Sequence, residues 1–441
     1  MSVYKDLNEL AADIFGKSYH VEAEIAEGTK GLGSTQNKFV LTAKDKDNGS
    51  LDGKKIFAKE NEVQSPVYNL LHVVEKESIM YEKVIPRVLK FLSERDSQLC
   101  SDITLLFPNY YGRGIVSTHH YFLFDDLFQS HSEKFMVNAS DTFHDEATVH
   151  LVIGAIAKFH GVFHSMESVC GVNFKDEYPI LAEDYLLDSQ CFDVVAPFYN
   201  GEFHKTWTML KVVLDSYSSE FCHPVESKLT LPHNILEIQT ALDSLKLLVG
   251  DPLTLMKNIK QRENADTSIL IHGDFHPLNI AVSESRVKFF DYQLIRHTDG
   301  LSDIHQYLCQ GTTPEQRSKN LASYLELYYS TLTNTCKRLG MSASPYGNFD
   351  NFMLDYQKFS PLQIPYGFGM LTWKYVTDFK AYEELGDSLK KYEHSTASDK
   401  AELQENIVIY IDKLGPNVWE AIKILFEFVI EIKRNGMLDQ I

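Results

Sequence analysis

One strand-rich island, Ile269 to Gln293, interrupts a chain that reads as helical by period from about Asp145 onward. Upstream the pattern differs. From about Tyr19 to Glu60 it is strand-like, as YHVEAEIAE, KFVLTAKDKD and KKIFAKE, separated by the turn-forming GTKGLGS and DNGSLDG. A helix follows, with Ser65 as its N-cap, Pro66 at its first position and Pro86 closing it about twenty residues later. Beyond a stretch of mixed pattern comes HHYFLFDDLF, a short apolar strand ending in two aspartates. The predicted order is an α+β chain. A small antiparallel-sheet lobe with one main helix occupies residues 1–127, and a larger, mostly helical lobe occupies 128–441.

Composition narrows the partners. The 441 residues are 44% hydrophobic and 23% charged, enough to bury a large core and too apolar for disorder. A net charge of −19 repels polyphosphate backbones and anionic lipid, so neither nucleic acid nor a membrane is expected as a partner. Cys100, Cys170, Cys191, Cys222, Cys309 and Cys336 lie far apart, without the C-x-x-C spacing of zinc or redox sites. The N-terminus lacks the apolar run of a signal peptide. The late segment NVWEAIKILFEFVIEIK carries Glu420, Lys423, Glu427 and Glu431, which makes it an amphipathic packed helix. A cytoplasmic protein is expected, in which the Asn138-Ala139-Ser140 sequon is accidental.

The island, ILIHGDFHPLNIAVSESRVKFFDYQ, holds the chemistry. Two apolar strands, Asn279 to Val282 and Val287 to Phe290, flank the turn Ser283-Glu284-Ser285-Arg286. Pairing Val282 with Val287 brings Asn279 beside Phe290 and next to Asp291. An amide oxygen and a carboxylate then meet at the hairpin mouth, the hard oxygen donors that suit Mg²⁺ sharing its shell with substrate phosphates. Asp274 precedes the hairpin and is a candidate base for a substrate hydroxyl. Each residue alone reads equally well as a turn former or cap; the spaced set does not.

The first lobe offers an independent check. On a helical wheel Val67, Leu70, Leu71, Val74, Tyr81, Val84 and Ile85 form one apolar stripe, and Glu77 falls inside it. Glu75, Lys76, Glu82 and Lys83 fall outside, as solvated residues. An inward carboxylate needs a cation, because a buried unpaired charge costs several kcal/mol, and Lys59 in IFAKE is the nearest in sequence. The bland alternative is that Glu77 snorkels at the edge of the stripe. Between the first two strands, Gly28 to Ser34 could cover phosphates with backbone N–H groups, though a glycine-rich turn there is also ordinary hairpin chemistry.

The order KGLGS, IFAKE, EKESIMYEKVIP, FLFDDL, AIAKFHGVFH, HGDFHPLN, FFDYQ and DIHQYL resembles the ecdysteroid kinase-like family, over roughly residues 20 to 380. That family sits with choline kinases and aminoglycoside phosphotransferases in the bilobal protein kinase-like fold. The resemblance implies use of ATP and Mg²⁺ and phosphorylation of a hydroxyl on a small organic molecule. It makes Lys59 and Glu77 the phosphate-orienting pair, Asp274 the catalytic base, and Asn279 and Asp291 the metal ligands. Gly31, Gly33 and Ser34 would cover the phosphates, and Asp126 would lie at the adenine hinge, although Asp125 and Asp126 read equally as exposed linker residues. His272 and Asp303 would support the catalytic loop, residues 272–293. His276 and Tyr292 depart from the family pattern, where Trp and Phe are usual.

Protein kinases need a long activation segment after the metal-binding aspartate, and only Tyr292 and QLIRHTDGLS separate Asp291 from the helix at Asp303. Between His160 and His272, KTWTMLKVVLDSY and NILEIQTALDSLKLLV read as added helices that could wall a small-molecule pocket. The acceptor expected is a small hydroxylated molecule, with an ecdysteroid-like steroid alcohol as one form and a choline- or aminoglycoside-type alcohol as another. A pseudokinase that keeps the fold as a ligand-binding or scaffold protein is the alternative outside enzymology.

Overall fold

The computed structural model describes residues 10, 19–25, 35–45, 54–62, 69–116, 119–127, 135–137, 143–184, 189–217, 223–261, 266–369 and 371–440. The phosphate-loop residues Gly31, Gly33 and Ser34, the cap Ser65 with Pro66, and the Asn138 sequon lie outside these described residues.

The small lobe is a five-stranded antiparallel sheet of β1 (Tyr19–Ile25), β2 (Thr35–Asp45), β3 (Lys54–Glu62), β4 (Tyr110–Val116) and β5 (His119–Asp125), ordered β1-β2-β3-β5-β4. The position of β3 matters. As the middle strand it pairs on both sides, so Lys59 lies opposite Lys38 and Phe122 and is held in the body of the sheet. Sequence pattern misses β4. Two glycines interrupt YYGRGIV, and a register shift between Tyr110 and Gly112 lets Gly112 adopt φ 146°, which a β-branched strand former would resist.

The main helix does not end at Pro86. Helix α1 (Val73–Ile79) passes through a π-helical turn, Met80–Val84, into α2 (Ile85–Ser93). The Ile85 N–H reaches back to the Met80 carbonyl, so the wide turn absorbs the proline, which has no N–H to donate. Lys76 is also not solvated. It is 3% exposed, and the Glu183 carbonyl accepts from its Nζ at 3.0 Å. Burial and the Arg296 guanidinium push its pKa down to about 8.

The large lobe is built on α3 (Glu146–Cys170), with α4 (Ser189–Tyr217) and α5 (Ile235–Ser244) containing the two added helical segments. Asp145 caps α3 by accepting from the Thr148 N–H at 2.8 Å. The island forms β6 (Ser268–Ile271), β7 (Ile280–Val282) and β8 (Val287–Phe289), and β6 pairs with a further strand, β9 (Arg296–Asp299). Helices α6 (Leu301–Gly311) and α7 (Pro314–Arg338) follow. Helices α3 and α7 approach so closely that a Cβ on Gly161 would meet Thr335 Cβ at 2.8 Å. The late amphipathic segment is α8 (Val418–Arg434), and among the described residues no helix is long and apolar enough to cross a membrane. The lobes are stitched together at the hairpin: the Phe289 N–H donates to the Leu106 carbonyl at 2.7 Å and Lys288 Nζ to the Phe107 carbonyl at 2.6 Å.

Candidate active site

The β7–β8 hairpin pairs Val282 with Val287 and Ile280 with Phe289, and the Phe290 N–H donates to the Asn279 carbonyl at 3.2 Å. Asn279 and Asp291 therefore emerge side by side. Asp291 has φ 69°, an uncommon conformation for a residue with a side chain, and it turns the chain out of the hairpin toward the sheet. There Lys59 Nζ lies 2.8 Å from Asp291 Oδ1 and 2.7 Å from Glu77 Oε2. Glu77 is 1% exposed, an interior carboxylate rather than a snorkelling one. Burial works against the ammonium of Lys59, but Asp291 and Glu77 overcome it and hold its pKa above the ordinary value.

The loop from His272 to Phe275 is templated on α6, and each of its four backbone N–H groups has a partner. Asp303 Oδ2 accepts from His272 at 2.8 Å and Asp303 Oδ1 from Gly273 at 2.9 Å. His272 Nδ1 accepts from Asp274 at 3.4 Å and Gln306 Oε1 from Phe275 at 3.2 Å. Since Nδ1 of His272 accepts, its proton sits on Nε2, which donates to the Phe290 carbonyl at 3.0 Å and ties the loop to the residue before Asp291. Burial lowers the His272 pKa, in keeping with that neutral ring. His160 reaches Asp303 Oδ2 with Nε2 at 3.2 Å, and its Nδ1 lies 2.8 Å from the Tyr328 hydroxyl. Gly273 sits at φ 82°, where a Cβ would come within 2.0 Å of the Leu294 carbonyl oxygen. Below the loop, Arg296 Nη1 donates to the Gly273 carbonyl at 2.7 Å, and its Nε lies 3.2 Å from Asp184, which also takes Lys260 at 2.8 Å.

Asp274 is thus presented rather than merely exposed. Its Oδ1 accepts from Gln306 Nε2 at 3.1 Å and its Oδ2 from Asn279 Nδ2 at 3.2 Å. Burial alone would raise its pKa, but His276, His272 and Gln306 hold it well below the usual carboxylate range. His276 Nε2 stands 3.5 Å from Asp274 Oδ2, and that carboxylate raises the His276 pKa against the effect of burial. The bonds Asn279 makes to the loop use its amide nitrogen, including one to the Asp274 carbonyl at 2.9 Å. Its Oδ1 and the Asp291 carboxylate are the oxygen donors available at the hairpin mouth, a charged and a neutral ligand of the kind Mg²⁺ accepts.

Tyr292 is fully buried, with ring centroids 5.6 Å from Tyr81 in the π-helical turn, 4.7 Å from His272 and 6.5 Å from Phe159. Its ring joins the small-lobe helix to the loop that carries His272. Asp126 is buried after β5 and is not an exposed linker residue, while Asp125 accepts from the Asn109 N–H at 2.7 Å. Sequence reasoning overlooked Gln306, Arg296 and Asp184. Gln306 alone carried a signal, standing three residues from Asp303 on the same helix face.

Among curated proteins, none matches the chain. Solved structures that align with it include a choline kinase from Cryptosporidium parvum Iowa II, with 12% identity over 96% of this chain and 91% of that one and a TM-score of 0.38. An amicoumacin kinase in complex with AMP-PNP, Ca²⁺ and Ami aligns with 11% identity over 92% and 95%, TM-score 0.37. An aminoglycoside-3'-phosphotransferase of type VIII aligns with 13% identity over 75% and 93%, TM-score 0.34. Likeness of this degree carries no weight for substrate or mechanism. The ecdysteroid kinase-like family, in contrast, matches residues 36–341, well over half of the sequence, and the chain belongs to that family.

Proposed function

We propose that the protein is an ATP- and Mg²⁺-dependent kinase that phosphorylates a hydroxyl group of a small organic molecule. The observation that carries this reading is Lys59, a strand cation bonded at once to a helix carboxylate and to the aspartate of the hairpin mouth. A lysine held this way presents its charge to the α and β phosphates of ATP. Glu77 fixes where that charge points. Asn279 and Asp291 would hold the metal, which when bound neutralises phosphate charge during transfer. Asp274, kept ionised, takes the proton of the acceptor hydroxyl through Oδ2, and the buried Asp303 holds the loop in place for it. Gly31, Gly33 and Ser34 would cover the phosphates, with Asp126 beside the adenine.

The acceptor we favour is a neutral alcohol, of which an ecdysteroid-like steroid is one form. The acidic chain disfavours polyanions. Membership of the ecdysteroid kinase-like family leans the choice toward a neutral, steroid-like alcohol. The scattered cysteines, without C-x-x-C spacing, fit the reducing cytosol. The test is ATP consumption over a panel of steroids, amino alcohols and glycosides, with Mg·ATP binding measured alongside. Turnover of a neutral alcohol is expected. Binding of Mg·ATP without turnover of any alcohol would favour the pseudokinase, and turnover of protein substrates alone would overturn the small-molecule reading.

A further inference from the structure

We infer that Gln306 is a positioning residue for the base, an inference that rests on the reading of Asp274 as that base. Gln306 is 5% exposed and lies one helical turn beyond Asp303 on α6. Its carboxamide is engaged at both ends: Oε1 accepts from the Phe275 N–H at 3.2 Å, and Nε2 donates to Asp274 Oδ1 at 3.1 Å. The group cannot be reversed. A flipped amide would set NH₂ against an N–H and an oxygen against a carboxylate, so the loop backbone itself fixes which atom faces Asp274.

Gln306 therefore sets the distance from a rigid helix to the carboxylate and fixes which of its two oxygens faces that helix. With Oδ1 occupied, Oδ2 is the oxygen turned toward Asn279 and His276, at 3.2 and 3.5 Å. In the transfer the acceptor oxygen bonds the γ-phosphorus, and the bond to the bridging oxygen breaks with its electron pair leaving on ADP. The hydroxyl proton moves to Oδ2. Misplacing a base by about 1 Å costs on the order of a hundredfold in rate, which is what a lost gauge would forfeit.

Two substitutions separate positioning from simple support of the loop. Gln306→Met keeps the length and loses both bonds. Gln306→Glu keeps an acceptor for the Phe275 N–H but, when ionised, gives nothing to Asp274 and sets a like charge beside it. We expect both to lower kcat by roughly ten- to a hundredfold, Glu at least as severely as Met, with Mg·ATP affinity within about twofold of wild type. Near wild-type kcat in Gln306→Glu, or a raised KM for ATP with kcat unchanged, would overturn the inference. A crystal structure of Gln306→Met gives a readout that does not depend on turnover: the Asp274 carboxylate should leave its wild-type orientation, and an unmoved carboxylate would refute the role. Absence of any transfer by the wild-type protein would sink the kinase reading instead, while the crystal structure would still decide whether Gln306 orients Asp274.

Discussion

Replacing Lys59 by Met removes the cation from between two carboxylates, and the structure sets the size of the consequence. Glu77 Oε2 loses a partner at 2.7 Å in a position only 1% exposed, so water cannot take the place of the ammonium. Asp291, about a fifth exposed, is partly compensated by solvent. Breaking a buried pair from one side costs ~3–5 kcal/mol, and the Glu77 half should supply most of it. Glu77→Gln is milder, ~1–3 kcal/mol, because Lys59 keeps Asp291 at 2.8 Å. The double variant Lys59→Met/Glu77→Gln strands no charge at the Glu77 position and leaves only the partly solvated Asp291 carboxylate without Lys59. It should be more stable than the sum of the single losses predicts, by at least ~1 kcal/mol. Native-state hydrogen exchange of the amides in β3 and α1 reads these energies locally, without a two-state assumption for the whole chain. Additive losses, or a Lys59→Met cost below ~1 kcal/mol, would refute the claim that the pair is a desolvated ion pair holding α1 against the sheet.

Asp291→Ala should abolish Mg²⁺-dependent ATP binding, since the carboxylate proposed to hold the metal at the hairpin mouth is gone; titration calorimetry with and without Mg²⁺ checks this, and unchanged Mg·ATP affinity would count against it. Tyr292→Phe should stabilise the protein by ~1 kcal/mol in urea unfolding, because the Tyr292 hydroxyl is buried without a hydrogen-bond partner among the described residues. Acid stability tests two buried histidines, His164 and His305, whose pKa values burial pushes down to about 3. The unfolded chain binds their protons near pH 6.5 while the folded chain does not, so stability present above pH 6.5 is lost as pH falls toward 3, by ~1.4 kcal/mol per histidine per pH unit. His164→Phe should flatten that slope in melts between pH 7 and 4.5, and an unchanged slope would be the contrary result.

The parts of the site written in local pattern were readable from sequence, and the parts written in distant contacts were not. The turn Ser283 to Arg286 between two apolar runs set the hairpin register, and with it the meeting of Asn279 and Asp291, because strand period and turn length leave one alignment. The inward aim of Glu77 followed from helical period. The same period misplaced Lys76, because a wheel shows which face a residue is on and not what covers that face; the cover comes from the chain near Glu183. Pro86 was read as a stop because a proline breaks an α-helix, whereas the π-helical turn before it removes the conflict. Strand β4 was hidden by Gly112 and Gly114, which lower strand propensity although the partner β5 supplies the pairing. Arg296 and Asp184, 112 positions apart, have no sequence signature linking them, because the fold alone brings Asp184 to the guanidinium that holds the Gly273 carbonyl.

The most direct test of the central claim is transfer itself, followed by mass spectrometry of the acceptor alcohol incubated with ATP and Mg²⁺, for the wild-type protein and for Asp274→Asn. The account predicts that the alcohol gains one phosphoryl group with the wild-type protein. In Asp274→Asn the rate should fall by roughly 10² to 10⁴ while Mg·ATP still binds, because the carboxylate acts on the acceptor hydroxyl and not on the nucleotide. Wild-type turnover by Asp274→Asn would contradict it.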